Sequence, residues 1–389
     1  MWIASLFAAS LLALAPTAQE APAPEPTYAQ RLAAATSRFD AAIAAQPDAR
    51  AAQVAAHAEE LLALAATAPA TRESLDTCLR VVTLDPGEAV AKRAIAAIVG
   101  SGAEPRLLVA LSQSLMRGVP SRWHEPLLEA LVAGVEQRDV QGYAAYALGH
   151  LRLDFADDVA YFTDAAQPEE KRAEYARRRG AALLADHVAR GADALRSAGL
   201  AALRRVVDDF YFADHRKAGY LGALADAELF ELENLQVGMV APEIEGADED
   251  GVPFKLSDYR GKVVLLDFWG YWCPICVHNL PGERKLVDRL KDAPFALVGV
   301  NSDPKDRLAI GLKHEPLSWR SFFDGGDPYG PIASRWNVTS WPTMYVLDEA
   351  GVICAKGEDL DELERAVDAL LARAAAPAAA PAGRAGAPQ

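Results

Sequence analysis

The spacing of apolar residues along the chain changes near residue 235. Between residues 28 and 232, apolar side chains recur every three or four positions, which is the spacing of amphipathic helices, and Ala and Leu dominate. Breaks at Pro and Gly divide this region into about eight to ten helices of ordinary length. We therefore predict an all-α helical domain over 27–234, arranged as an irregular array similar to tetratricopeptide (TPR) or HEAT repeats.

Beyond residue 237, short apolar runs alternate with amphipathic stretches. This alternation predicts an α/β domain over 237–373 whose sheet is mostly parallel and covered by helices on both faces. The run 263–269 is almost continuously apolar, as is typical of a strand buried on both faces. The next helix is predicted to begin at Cys273 and to be interrupted near Pro281.

Both ends of the chain differ in composition from the two predicted domains. Residues 2–15 are apolar and are followed by small residues, a run too short for a membrane span but suited to an export signal peptide over 1–18, with a linker over 19–26. This predicts an exported protein of the periplasm or cell envelope, with no membrane span once the signal is removed. Residues 374–389 are almost wholly Ala, Pro and Gly, which predicts a disordered tail.

Composition excludes several classes of function. The chain carries 39 Lys and Arg against 54 Asp and Glu, a net charge of −15 at pH 7, so its average field repels nucleic acids and anionic membranes. Four cysteines among 389 residues are too few for a disulfide scaffold. The histidines of the helical region do not have the spacing of a metal site. A helical array commonly offers a groove to a protein partner, and this is the one role that its architecture favours.

The candidate chemistry lies at Cys273-Pro274-Ile275-Cys276, between the buried strand and the helix that follows it. The unpaired backbone N–H groups and the positive end of that helix favour a thiolate at Cys273, which makes Cys273 the nucleophile. Cys276 lies one turn further along the helix. There it can close a disulfide with Cys273 and act as the resolving thiol.

Other interpretations of these two cysteines explain less. A zinc site needs a second ligand pair, whereas Cys78 and Cys354 are single, far apart and better interpreted as buried, inert thiols. A covalently bound haem needs a histidine directly after Cys276, where the chain has Val277. A structural disulfide that closes so short a loop would add little stability. We therefore predict a redox-active Cys273–Cys276 disulfide and no metal or other cofactor.

Two positions outside this motif also suggest a function. Asp267 is the only charged residue in the run 263–269, and burial would raise its pKa and suit it to exchange a proton with Cys276. The alternative is an acid at the strand end that caps a loop. Pro342 begins another apolar strand and cannot donate to the sheet. It must therefore lie at a strand end or edge, in an ordinary turn or after a cis bond.

Taken together, these motifs resemble the thioredoxin superfamily, and specifically the exported TlpA/ResA-like thiol-disulfide oxidoreductases grouped with the redoxins. The matching residues are Gly238, Ala241-Pro242, 256–262, Asp267-Phe268-Trp269, Trp272-Cys273, Cys276, Pro281 and Trp341-Pro342-Thr343. The resemblance implies a thioredoxin-like fold from residue 237 to residue 371. It further implies that Asp267 is the buried acid and that Pro342 is the cis-proline that faces the dithiol. The substrate-binding residues that it implies are Trp272, Trp341 and Thr343.

The chain also departs from the family pattern. Pro274 follows the first cysteine, whereas most TlpA-like motifs have proline just before the second, so the family's redox potential does not carry over. The lysine that approaches the buried acid in thioredoxins aligns with Gly299, which leaves a proton relay through Asp267 less well founded than attack by the first cysteine. His278 and Glu283, on the helix after the dithiol, are predicted to face solvent.

The sequence therefore predicts a thiol-disulfide oxidoreductase of the cell envelope that exchanges electrons with disulfide-containing proteins and with an upstream thiol reductant or oxidant. A thiol peroxidase of the redoxin group is the alternative enzyme, although peroxiredoxins set their cysteine in a Pro-x-x-x-Thr-x-x-Cys context that the residues before Cys273 lack. The non-enzymatic alternative is a redox-sensing scaffold that binds partners through the helical array.

Overall fold

The computed structural model describes residues 25–116, 121–215, 219–326 and 328–375. The predicted signal segment, all but the last two residues of the predicted linker, and the predicted tail beyond residue 375 lie outside these stretches. Within the described stretches, no helix is both long enough and apolar enough to cross a bilayer.

The chain divides into two compact units, 1–104 and 105–389. The predicted domain limits at 234 and 237 fall inside the second unit and stay predictions. The helices of the first unit are α1 (Tyr28–Ala45), α2 (Arg50–Ala65), α3 (Arg72–Thr83) and α4 (Glu88–Val99). A capping box begins α1: the backbone N–H of Gln30 donates to Thr27 Oγ1 at 3.3 Å, and that of Thr27 donates to Gln30 Oε1 at 2.8 Å.

The second unit opens with a helical segment. Its helices are α5 (Pro105–Leu115), α6 (His124–Gly134), α7 (Arg138–Thr163), α8 (Glu169–Arg179), α9 (Ala181–Arg190), α10 (Ala192–Phe210) and α11 (Leu221–Asn234). Two short strands, β1 (Asp214–His215) and β2 (Gly219–Tyr220), pair antiparallel between α10 and α11. The helical character predicted for this region is confirmed, and its likeness to TPR or HEAT repeats stays a prediction.

The 26-residue helix α7 packs closely against α10. A Cβ atom at Gly149 would lie 2.8 Å from the side chain of Leu203, and one at Gly199 would lie 2.9 Å from the side chain of Leu153. Glycine at these two positions therefore allows the helices to approach more closely than any side chain would permit.

The α/β part follows α11. Its strands are β3 (Glu245–Ala247), β4 (Pro253–Lys255), β5 (Val263–Trp269), β6 (Phe295–Asn301), β7 (Arg320–Phe323), β8 (Thr343–Leu347) and β9 (Ile353–Gly357). Its helices are α12 (Pro274–Arg289), α13 (Lys305–His314), α14 (Pro331–Arg335) and α15 (Leu360–Ala375).

The main sheet has five strands in the order β7–β6–β5–β8–β9. Strands β5, β6 and β7 run parallel, whereas β8 pairs antiparallel with both β5 and β9. The sheet is therefore mixed and differs from the mostly parallel sheet predicted. The difference arises from one strand, β8, which runs opposite to the other four strands and so makes both of its pairings antiparallel. A separate antiparallel hairpin is formed by β3 and β4.

Strand β5 is buried along its whole length. The side chains of Val264, Leu266 and Phe268 pack into one core cluster, together with residues of β8 and α14. Those of Val263 and Leu265 pack on the opposite face, with residues of α12 and α15. The prediction of a strand buried on both faces is confirmed.

A hydrogen bond, an ion pair and a cation–π contact join α11 to the α/β part. Glu231 accepts a hydrogen bond from Asn337 Nδ2 at 2.6 Å and forms an ion pair with Lys356 of β9. The guanidinium of Arg335 lies over the ring of Phe230, 3.6 Å from its centroid. These contacts hold the last helix of the helical segment beside the chain that leads into β8.

Leu265→Ala should lower the free energy of unfolding by about 2–5 kcal/mol, because it removes a fully buried side chain from the central strand and leaves a cavity. Urea denaturation followed by tryptophan fluorescence measures the loss. Val252→Ala, at a position that is 52% exposed, is the matched control and should change stability by less than about 0.5 kcal/mol. A loss at Leu265 no larger than the control's would contradict the burial of this strand.

Candidate active site

The two cysteines of the redox motif lie where β5 leaves the core and α12 begins. Cys273 is the N-cap of α12, and its sulfur accepts a hydrogen bond from the backbone N–H of Cys276 at 3.2 Å. Pro274 occupies the first turn, where its missing N–H costs no helical hydrogen bond. The helix continues through Pro281 to Arg289, so the interruption predicted near Pro281 is wrong.

The turn around Pro342 faces this helix end. The Trp341–Pro342 peptide bond is cis, which selects between the two forms left open by the sequence. The Cys273 thiol lies 3.4 Å from the carbonyl oxygen of Trp341 and donates a hydrogen bond to it. Thr343 follows in β8 and is buried, with its hydroxyl donating to the carbonyl of Ser340 at 2.8 Å. The Thr343 side chain therefore braces the turn, and its predicted role in substrate binding stays a prediction.

Two tryptophans, Trp272 and Trp341, pack against the cluster that contains both cysteines. The rings of Trp272 and Trp341 meet edge to face with centroids 5.3 Å apart, and Tyr329 meets Trp341 in the same way at 5.5 Å. The indole N–H of Trp341 donates to Ser302 Oγ at 3.2 Å, which fixes the orientation of that ring. Tyr329 is 61% exposed and was not singled out in the sequence. The structure therefore brings both predicted tryptophans to the edge of the dithiol.

A carboxylate from the neighbouring loop holds the segment that precedes Cys273. Asp303 follows β6, is fully buried, and accepts the backbone N–H of Tyr271 at 2.7 Å and that of Trp272 at 3.3 Å. Asn301 Nδ2 donates to the same carboxylate at 2.8 Å. Sequence reasoning missed Asp303. The available signal was an acidic residue directly after a buried strand, within Asn-Ser-Asp-Pro, but nothing in that pattern identifies its partners.

Asp267 is the acid of strand β5, and only 2% of its surface is exposed. Burial raises the pKa of this carboxyl well above its usual range, and the nearby negative charges of Glu283 and Cys273 raise it further. Burial also raises the pKa of the Cys276 thiol, with further contributions from its hydrogen bond to Cys273 and from the charge of Asp267. The predicted burial of the acid and its proximity to Cys276 are thus observed in the structure.

Glu283 differs from its prediction. It was expected to face solvent, but only 1% of its surface is exposed, and burial raises its pKa to about 7. The reason is its position on α12, seven residues after Cys276 and between Leu280 and Leu286, all of which face the sheet. His278, on the opposite side of the helix, is exposed as predicted.

The remaining cysteines lie away from the dithiol. Cys78 of α3 is buried, and burial raises the pKa of its thiol to about 11, which fits an inert side chain. Cys354 of β9 is half-buried rather than buried, so its prediction is only partly correct. Across the described residues, no group of three or more His, Cys, Asp or Glu side chains is arranged to hold a metal ion.

Comparison with known proteins points to this same part of the chain. Residues 237–356 match the AhpC/TSA family. Among solved structures, the thioredoxin domain of a thiol-disulfide oxidoreductase from Bacteroides vulgatus is 28% identical, with a TM-score of 0.33; the match covers 36% of this chain and 99% of that one.

Two curated relatives are similar over the same region. Thiol-disulfide oxidoreductase ResA of Bacillus thuringiensis subsp. konkukian (strain 97-27) is 29% identical over 134 residues, which cover 33% of this chain and 75% of that protein. Thioredoxin-like protein YneN of Bacillus subtilis (strain 168) is 34% identical over 126 residues, which cover 31% of this chain and 69% of that protein. The chain belongs to the TlpA/ResA-like group of the thioredoxin superfamily.

As a member of the thioredoxin superfamily, the protein is an oxidoreductase. The family and fold class predicted from the sequence are confirmed. The family match spans residues 237–356. It therefore includes Cys273, Cys276, Asp267, Glu283 and the cis-proline turn, and it excludes the helical segment.

Asp303→Asn should lower the free energy of unfolding by about 1–3 kcal/mol, because the buried N–H groups of Tyr271 and Trp272 lose a charged acceptor. It should also slow the reaction of Cys273 with an aromatic disulfide reagent, since the loop before Cys273 is no longer held. Urea denaturation and stopped-flow absorbance measure the two effects. Asp306→Asn, an exposed acid in the first turn of α13, is the control. Equal behaviour of the two variants would contradict this role of Asp303.

Asp267→Asn should change how the stability of the oxidised protein depends on pH. The folded-state pKa of Asp267 is raised, so on raising the pH from about 4 the unfolded chain loses this proton while the folded protein retains it. The contribution of Asp267 to stability therefore falls with rising pH, by up to about 1.4 kcal/mol per pH unit for one proton.

Asp267→Asn should remove that decline, and its stability relative to the wild type should grow from pH 4 towards neutrality. Urea denaturation at a series of pH values measures the difference. The exposed Asp288→Asn is the control and should follow the wild type. A stability difference between Asp267→Asn and the wild type that stays constant with pH would contradict a protonated Asp267.

Proposed function

We propose that the protein exchanges electrons with the disulfides of other proteins through the Cys273–Cys276 pair. The observation that carries this proposal is the position of Cys273 at the N-terminus of α12. There its sulfur accepts the backbone N–H of Cys276 and lies against the cis-proline turn. A thiolate is stabilised by such donors and by the helix dipole.

The proposed reaction begins with the Cys273 thiolate, which attacks one sulfur of a substrate disulfide and releases the other as a thiolate. A mixed disulfide between Cys273 and the substrate results. Cys276 then loses its proton to the ionised form of the neighbouring Asp267 carboxyl and attacks the Cys273 sulfur. The bond to the substrate breaks with its electron pair on the substrate sulfur. Two electrons have passed to the substrate, and Cys273 and Cys276 are joined as a disulfide.

The surface around Cys273 suits a protein substrate. Ile275, between the two cysteines, is 59% exposed. Tyr329, Trp272 and Trp341 extend this apolar area. Exposed apolar area of this kind favours contact with a polypeptide over a small polar oxidant such as peroxide. Trp272, Trp341 and Thr343 remain the proposed substrate-binding residues.

Location and partners follow from the same proposal. The apolar segment at 2–15 supports export to the periplasm or cell envelope, where disulfides persist. Repeated turnover requires an upstream thiol reductant, or an oxidant if the net flow runs in reverse, and the equilibrium potential of the pair decides the direction. The helical segment is proposed as a docking region for a protein partner.

Reduction of insulin disulfides with dithiothreitol as electron donor tests the proposal. The wild type should accelerate insulin precipitation, Cys273→Ser should abolish the acceleration, and Cys276→Ser should accumulate a mixed disulfide visible by mass spectrometry, since the resolving thiol is gone. Cys354→Ser is the matched control and should retain full activity. Peroxide consumption without insulin reduction would favour the thiol peroxidase, and neither activity would favour the scaffold.

A further inference from the structure

A second buried acid lies beneath the dithiol, and neither the sequence motifs nor the reaction described above uses it. Side chains alternate along β5, which places Asp267 on the same face as Leu265 and Trp269. Leu265 packs in a cluster with Leu286 of α12, and Trp269 packs in a cluster with Leu280 and both cysteines. Asp267 therefore lies between these two clusters, on the face that α12 covers.

Glu283 takes the corresponding place on the helix. It lies between Leu280, which belongs to the cluster with Trp269, and Leu286, which belongs to the cluster with Leu265. Since residues three apart on a helix lie on the same face, all three side chains point to the sheet. The two acids thus occupy matching positions on the strand and on the helix that covers it. The charge of Glu283 contributes to the raised pKa of Asp267, which agrees with this placement.

Neither acid forms an ion pair within the described structure, although the charge of Arg284 acts on Glu283 and lowers its pKa against the larger effect of burial. Asp267 Oδ1 and Glu283 Oε2 are both buried and make no hydrogen bond. Arg284, the next residue on α12, forms its ion pair with Glu315 at 2.6 Å. On β6 the residue that pairs with Asp267 is Gly299, and on β8 it is Met344.

The charged and titratable groups that act on the two acids are the Cys273 thiol and the Arg284 guanidinium, and a further acidic group lies across a cavity beside α12. A cavity of about 440 Å³ abuts α12 at His278, Asn279 and Gly282, and the acids Glu358, Asp359 and Asp361 line its other side. The negative charges of these three acids cannot compensate a negative charge on Glu283. Two ionised carboxylates at this depth would repel each other. Arg284 offsets the charge of Glu283 only in part because its guanidinium is paired with Glu315, so the pair carries at most one negative charge near neutral pH.

We propose that Asp267 and Glu283 act as one buried carboxyl pair that shares a proton, with Glu283 as the positioning residue that tunes the acid beside Cys276. This rests on the proposed function. In the resolving step the proton of Cys276 passes to the singly charged pair, which becomes neutral. The Cys276 sulfur bonds to that of Cys273, and the substrate sulfur leaves with the electron pair. Loss of one proton to solvent then restores the charged pair.

The first measurement is the titration of the two carboxyl groups by NMR of the full-length oxidised protein, labelled with ¹³C in the Asp and Glu carboxyl carbons. Asp267→Asn and Glu283→Gln assign the two signals. A shared proton predicts that both signals move together in two common steps. Each variant should show a single step in the carboxyl that remains. Two independent one-step titrations in the wild type would overturn the pair.

The second measurement is the rate of the resolving step against pH, followed by stopped-flow tryptophan fluorescence after the reduced protein meets a disulfide substrate. The wild-type rate should rise in two steps, because each ionisation of the pair makes a stronger base for the Cys276 proton. Glu283→Gln should lose the upper step and resolve about tenfold more slowly at the alkaline end. Asp288→Asn, an exposed acid on the same helix, should keep both steps.

The outcomes separate the two proposals. A uniform slowing of Glu283→Gln at every pH, with both steps retained, would assign Glu283 a purely structural role and overturn the inference. Failure of the wild type to reduce insulin would remove the proposed function, whereas the carboxyl titration would still decide whether the two acids share a proton.

Discussion

Both faces of strand β5 are buried. The other elements of the α/β part are arranged so that they cover these two faces. All seven of its residues are buried, so other elements must cover both faces. The chain can leave the core only at the end of the strand. Cys273 lies just beyond that end, as the N-cap of the helix that covers one face. The packing that buries the strand therefore also places the reactive sulfur.

The layer between β5 and α12 is otherwise apolar but contains a carboxyl group at two positions. Asp267 and Glu283 stand where apolar side chains would otherwise continue the core, and each costs folding free energy because a carboxyl group loses its hydration there. Departures from apolar packing of this kind are characteristic of sites where proton transfer is needed. These two acids thus lower the stability of the fold close to the two cysteines of α12.

Features that depend on residue spacing could be predicted from the sequence. Helical periodicity predicted the helical segment, and the apolar run 263–269 predicted the central strand. Glu283 was misplaced because a charged residue in a helix usually faces solvent, and only the packing of α12 on the sheet reveals its burial. Asp303 was missed because its partners are the backbone N–H groups of Tyr271 and Trp272, the former 32 residues away. Such a contact cannot be predicted from the pattern of residues along the chain.

Asp303 also has a consequence for the choice of substrate. One carboxylate joins the loop after β6 to the loop after β5, so the segment that carries Cys273 is held in place by two hydrogen bonds. The incoming polypeptide must then change its conformation to align its disulfide for in-line attack. The conformational entropy that it loses reduces the affinity of association. Under the proposed function, a nucleophile held in this way favours disulfides in mobile or unfolded segments, which reach it at lower cost than those locked inside a folded core.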